Sequence, residues 1–175
     1  MISKLICPIS FLEKVGYSFA RMIATTPALF NALASIPVLT GINAAALTLL
    51  AQEGIVHDFP AGTWIVRQGE AGHSFFIIVE GDVDVIIHAE SPHSVTLDTL
   101  HAGNFFGEMS VVDPVLRGAS VRTLSPVKAI EIKTATLYRL FKEMPDQYSI
   151  VILNLARDMA RRLRKIDEAF AARTS

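Results

Sequence analysis

The residues best suited to do chemistry lie in one stretch, Gly103-Asn-Phe-Phe-Gly-Glu-Met-Ser-Val-Val-Asp-Pro-Val-Leu-Arg-Gly-Ala-Ser-Val-Arg122. Phe105 and Phe106 are bulky and β-prone. Gly107-Glu108 then opens a short helical stretch, through Met109 and Ser110, which Pro114 interrupts. Amides at a helix start attract an anion. Arg117 follows, before a new strand, and its planar guanidinium suits a phosphate. Gly118 and Ala119 are small, so backbone can approach a ligand closely there, and Ser120 adds a hydroxyl. One guanidinium, helix-start amides and a hydroxyl make a site for a single phosphate. Glu108 is an odd neighbour for a phosphate alone. It makes sense if the ligand also carries a hydroxyl donor, such as a ribose 2′-OH.

Other chemistries find less support. The five histidines, His57, His73, His88, His93 and His101, are scattered over turns and strand ends with no His-x-His pair, so no metal site is expected. The one cysteine, Cys7, can close no internal disulfide and build no thiolate metal site alone. Ser120 has no histidine with a reason to stand beside it, so no catalytic residue and no enzyme activity are expected. Gly69, Gly72 and Gly81 read as turn glycines only.

The elements that must hold these groups are short. Between Ile55 and Ile132, β-rich runs appear at Ile55–Phe59, Trp64–Arg67, Phe75–Val79, Val83–His88, Val95–Leu100, Ala119–Leu124 and Val127–Ile132. Turn residues separate them, as in Pro60-Ala-Gly62, Gly69-Glu-Ala-Gly72, Gly81-Asp82, Ser91-Pro92 and Ala102-Gly-Asn104. Many short strands at regular spacing predict a roll or barrel. Before Leu50 the chain is rich in alanine and leucine, with helix-like stretches. After Thr134 helix returns. Asp146 can cap a long helix to about Ala172, on which Ile152, Ala156, Met159, Leu163, Ile166 and Phe170 repeat by four and three, a heptad seam. The basic cluster Arg161, Arg162, Arg164 and Lys165 reads as a solvated helix face.

Composition sets the frame. The 175 residues are 51% hydrophobic and 19% charged, as in an ordinary globular domain. A net charge of −1 gives no global drive toward nucleic acid or anionic membrane. The uncharged run Met22 to Gln52 is broken by Pro27, Pro37 and Gly41, so it reads as short buried helices and no membrane span is expected. The opening residues show no clear small-residue cleavage pattern. A cytoplasmic location is expected.

The stretch from Phe106 to Ser120 resembles the phosphate-binding cassette of the cyclic-nucleotide-binding domains, the family of the catabolite activator protein and the protein kinase A regulatory subunits. Phe106-Gly107-Glu108-Met109-Ser110 and Arg117-Gly118-Ala119-Ser120 carry the pattern, with the family's common Glu-to-Arg separation. Leu116 stands where the family often has proline. Ile36-Pro-Val-Leu-Thr-Gly-Ile42, Phe59-Pro-Ala-Gly62, Arg67-Gln-Gly-Glu70 and Val79-Glu-Gly-Asp-Val-Asp-Val85 extend the resemblance.

The resemblance implies an α+β fold: an antiparallel, jelly-roll-like β-roll with flanking N-terminal helices and a long C-terminal helix. It implies that Glu108 accepts from the ribose 2′-OH and Arg117 pairs with the cyclic phosphate. The amides of Gly107 and Ala119 and the Ser120 hydroxyl complete the cradle, beside Met109, Ser110 and Gly118. No cofactor is implied beyond cAMP or cGMP as ligand. The expected layout is a helical extension over 1–35, the nucleotide-binding roll over 36–145 and a lid or dimerisation helix over 146–175. The expected function is a non-catalytic sensor that prefers cAMP to cGMP and signals through that helix to an effector protein, as a homodimer. No room for a DNA-binding module follows the helix, so no direct nucleic-acid contact is expected. The alternative is a transcriptional regulator acting through a separate DNA-binding partner.

Overall fold

The computed structural model describes residues 29–113 and 116–174. The extension expected over 1–35 therefore falls, up to residue 28, outside the described residues, as do Cys7, Pro27, Pro114 and Val115. Residues 29–34 are helical. A 3-10 turn at Pro37–Leu39 leads to helix α1, Ala44–Glu53. Asn43 caps α1, its side chain accepting from the Ala46 amide at 2.9 Å.

Among the described residues eight strands follow: β1 Ile55–Phe59, β2 Trp64–Val66, β3 Ser74–Glu80, β4 Val83–Ile87, β5 Val95–Leu100, β6 Phe105–Phe106, β7 Ser120–Thr123 and β8 Val127–Lys133. Between β6 and β7 lies α2, Met109–Val112; after β8 come α3, Thr134–Glu143, and α4, Pro145–Thr174. The strands form two antiparallel sheets, ordered β1-β8-β3-β6 and β2-β7-β4-β5. This is the expected β-roll, and seven of its strands lie where the β-rich runs predicted. β6 was not foreseen, because two residues carry no period. Asp146 sits in the first turn of α4, whose first residue is Pro145.

The side-chain period of two sorts β3 onto two cores. Phe75 and Ile77 pack with Phe105, Ile130 and Ile132 against Leu33, Leu50, Leu137, Leu140, Val151 and Leu155 of the helical regions. Phe76 and Ile78 face the second sheet, with Phe106, Ala129, Val66, Val83, Leu100 and Val121. A strand buried on both faces reads as an unbroken apolar run, which explains Phe75–Val79. The uncharged run ending at Gln52 supplies Leu33, Val38, Leu47 and Leu50 to the helix-side core. No helix among the described residues is long and apolar enough to cross a membrane.

Helix α4 is fastened at its N-terminal half. Val151 and Leu155 are fully buried. Asn154 Nδ2 donates to the carbonyls of Val38 at 3.1 Å and Thr40 at 2.8 Å, and Gln147 Oε1 accepts from the Asn43 amide at 2.6 Å. The buried stripe is thus one residue out of step with the heptad seam. Leu163 and Ile166 of that seam are 59% and 61% exposed.

Candidate functional site

The cassette is anchored at its start by two phenylalanines on opposite faces of one strand. Phe105 enters the helix-side core, and Phe106 stacks on Phe76 with ring centroids 5.1 Å apart. Gly107 then turns the chain with φ +84°, and a Cβ there would lie 2.5 Å from Arg117 Nη1. Only glycine meets both conditions.

The other border is the turn from Gln68 to Gly72. The Gly69 amide donates to the Arg117 carbonyl at 2.9 Å, and the Arg117 amide to the Glu70 carbonyl at 2.8 Å. The Ser120 hydroxyl accepts from the Gln68 amide at 2.9 Å. Gly69 is a turn glycine as expected, with φ +86° and nothing near its Cβ position. Gly72 is more than that: a Cβ there would stand 2.3 Å from Ser110 Oγ and 2.9 Å from Arg117 Nε. Its role is close packing beneath the arginine, a feature that composition and spacing do not reveal.

These contacts bring Gly107, Glu108, Ser110, Arg117 and Ser120 together. Glu108 and Arg117 are only 6% and 7% exposed, and Ser110 and Ser120 are buried with them. Among the described residues, the acceptors hydrogen-bonded to the Arg117 guanidinium are all neutral. Nη1 donates to the Gly107 carbonyl at 3.0 Å and to Ser110 Oγ at 3.4 Å, and Nη2 donates to Ser74 Oγ at 3.4 Å. Burial lowers the Arg117 pKa, opposed by the fields of Glu131, Glu108 and Glu70. Met109 and Gly118 lie at the exposed rim, and Ala119 is half-buried. A Cβ on Gly118 would meet nothing within 4 Å.

Glu108 has a partner that the sequence did not indicate. Arg162 of α4 reaches it, Nη1 lying 3.3 Å from Glu108 Oε1, while Nη2 donates to the Phe105 carbonyl at 2.8 Å. The guanidinium carbon sits 4.9 Å from the Phe105 ring centroid, and Nε pairs with Asp158 Oδ2 at 2.8 Å. Arg162 thus departs from the solvated face expected of the basic cluster. The available signal was its phase: Val151, Leu155, Asp158 and Arg162 repeat by four, three and four. Burial pushes the Glu108 carboxyl above its ordinary pKa, with Arg162 acting against it. Asn154, also on α4, is committed to the Val38 and Thr40 carbonyls. Chemically, the site offers a buried cation for an anion and a buried carboxylate for a hydroxyl donor, spanned by the C-terminal helix.

Comparison with known proteins points the same way. Residues 56–144 match the family model for the cyclic nucleotide-binding domain. The chain is 34% identical over 117 residues to isozyme 1 of the cGMP-dependent protein kinase of Drosophila melanogaster, covering 65% of this chain and 15% of that protein. It is 28% identical over 139 residues to the CRP-like cAMP-activated global transcriptional regulator of Mycobacterium tuberculosis, covering 79% and 60%. It therefore spans less than two thirds of either relative. A solved cyclic nucleotide-binding domain from Methylobacillus flagellatus superposes with a TM-score of 0.75 at 21% identity, over 89% of this chain and 86% of that one, which speaks to the fold.

Proposed function

The chain belongs to the cyclic nucleotide-binding domain family, and we propose that it is a cytoplasmic, non-catalytic sensor that binds cAMP in preference to cGMP and signals through α4. The observation that carries this reading is the buried Arg117 guanidinium, whose hydrogen-bond acceptors among the described residues are all neutral. A buried cation without a direct ion pair is costly, and a cyclic phosphate would supply the missing anion. Gly107, Ser110, Ala119 and Ser120 surround that phosphate in the proposed complex. Met109 and Gly118 form the rim.

Signalling follows from Arg162. Glu108 is the group that would accept the ribose 2′-OH, and Arg162 on α4 already occupies one of its oxygens. A nucleotide hydroxyl would share that carboxylate with Arg162, so occupancy is coupled to the helix. Any such coupling is reciprocal: whatever moves the helix alters affinity.

The purine preference rests on Gly118. By family resemblance, a threonine or serine directly after the cassette arginine reads guanine, and this chain has no side chain there. The two relatives above, one named for cGMP and one for cAMP, leave this choice to the cassette itself. Calorimetric competition between the nucleotides tests it. cAMP binds more tightly on this account, and a tenfold preference for cGMP would contradict it.

The half-exposed and exposed seam residues Ile152, Met159, Leu163 and Ile166 favour a two-fold dimer through α4. Light scattering at tens of micromolar should report a dimer. Monomer alone, with and without nucleotide, would exclude it.

A further inference from the structure

A second carboxylate faces Arg117 from inside the roll. Glu131 lies on β8 between Ile130 and Ile132, which pack toward the helices, so it shares the inner face with Ala129. Its register partners are Ile55 on β1 and Phe76 on β3. Ser74, near it on β3, stands between the two charges. Its hydroxyl accepts from Arg117 Nη2 at 3.4 Å, and the strand register sets it diagonally beside Glu131 on the same face. On the other side, His57 Nε2 lies 2.8 Å from Glu131 Oε2.

The arrangement is a built network and no chance approach. Ser74 is buried, and the Glu131 side chain is 19% exposed. Burial works to raise the Glu131 pKa, but the hydrogen bonds from Ser74 and His57 prevail and hold it below the ordinary carboxylate range. The other acidic neighbours have partners of their own: Glu108 meets Arg162, and Glu70 Oε2 accepts from the Arg67 amide.

Resting on the reading that Arg117 takes a cyclic phosphate, we propose that Glu131 is a resident counter-anion for Arg117. It competes with the phosphate through Ser74 and so sets nucleotide affinity. The phosphate brings a negative charge to a guanidinium that already lies in the field of this carboxylate. In a partly desolvated site, like charges on either side of one cation repel with little screening. Ser74, beside Glu131, also holds the Nη2 edge of Arg117 toward the sheet. The carboxylate therefore steadies the empty site and weakens the filled one.

The test is titration of the full chain with cAMP. Glu131→Gln keeps one amide oxygen that can accept from Ser74, meets His57 with its amide NH2 only if the imidazole takes its other tautomer, and removes the charge. It should tighten binding by roughly 3- to 30-fold. Ser74→Ala keeps both charges and removes the bridge, so it should tighten binding by less, and it provides the second reading if the glutamine variant does not fold. A purely structural carboxylate gives the opposite sign, because loosening the site lowers affinity. Unchanged or weaker binding in Glu131→Gln, or weaker binding in Ser74→Ala, would overturn the proposal. A wild type that takes up no cyclic nucleotide would instead overturn the site reading itself, and this inference with it.

Discussion

Strands β3 and β8 have two faces that differ sharply in kind. On the helix side Phe75, Ile77, Ile130 and Ile132 are buried in a wholly apolar cluster. On the inner side the same antiparallel strands are apolar toward one end of the sheet, with Phe76, Ile78 and Ala129, and polar toward the other, with Ser74 and Glu131, beside the buried Arg117. The helix-side face gains free energy with every atom it removes from water. The inner end does the reverse, since charges are held out of water on incomplete pairing. One face makes the fold and the other keeps a site ready, and alternation along a strand lets seven residues serve both. Mutations on the two faces should therefore separate stability from affinity.

The largest separation is expected at Phe75. Truncation to alanine empties a fully buried position and should cost about 3–5 kcal/mol of stability. The fraction that remains folded should bind nucleotide with unchanged affinity, checked by denaturant titration alongside calorimetry. If affinity fell in step with stability, the two faces would not be independent.

A smaller effect, of opposite sign on the two quantities, is expected at Glu108. Its carboxyl pKa is raised by burial, against the pull of Arg162. A raised carboxyl contributes stability below the unfolded carboxylate pKa and loses it as pH rises through the folded value. At neutral pH the charge is thus a burden on the empty protein. Glu108→Gln should melt at a higher temperature than wild type near neutrality, and the gap should close below about pH 4. The same variant should bind cAMP about tenfold more weakly, having lost a charged acceptor for the ribose. A neutral-pH melting point below that of wild type would show that the Arg162 contact outweighs the burial.

The smallest expected effect concerns specificity at the rim. Gly118 has ordinary φ and open space at its Cβ position, so threonine fits there without strain. Gly118→Thr should leave stability unchanged and improve cGMP binding by about 1 kcal/mol. If competition showed no gain, the purine would be read elsewhere.

Particular residues show what the sequence could and could not convey. The strands were legible because short apolar runs between turn residues leave few alternatives, and the cassette because its glycine, glutamate, arginine and serine keep a fixed order. β6 was missed since two residues have no period. Gly72 was underrated because close packing beneath Arg117 joins positions 45 residues apart, and nothing local records it. Arg162 reads as solvent-facing because it stands in a run of basic residues. Its meeting with Glu108, 54 residues earlier, depends on the angle at which α4 crosses the roll. Helix phase also governs the seam: the stripe with the more regular apolar repeat is the one left toward solvent, and the helix is held down by its neighbour, Val151 and Leu155.

The central claim is that Arg117 is a phosphate receptor, and thermal unfolding of wild type and Arg117→Ala with cAMP tests it most directly. At a concentration about 100 times its dissociation constant, cAMP should add about 2.7 kcal/mol to wild-type stability. Loss of the buried charged contact should cost about 2–5 kcal/mol of binding. The same concentration should then add less than about 1 kcal/mol to the variant. A wild type that shows no shift with saturating cAMP or cGMP, or a variant that shifts as far as wild type, would contradict the account.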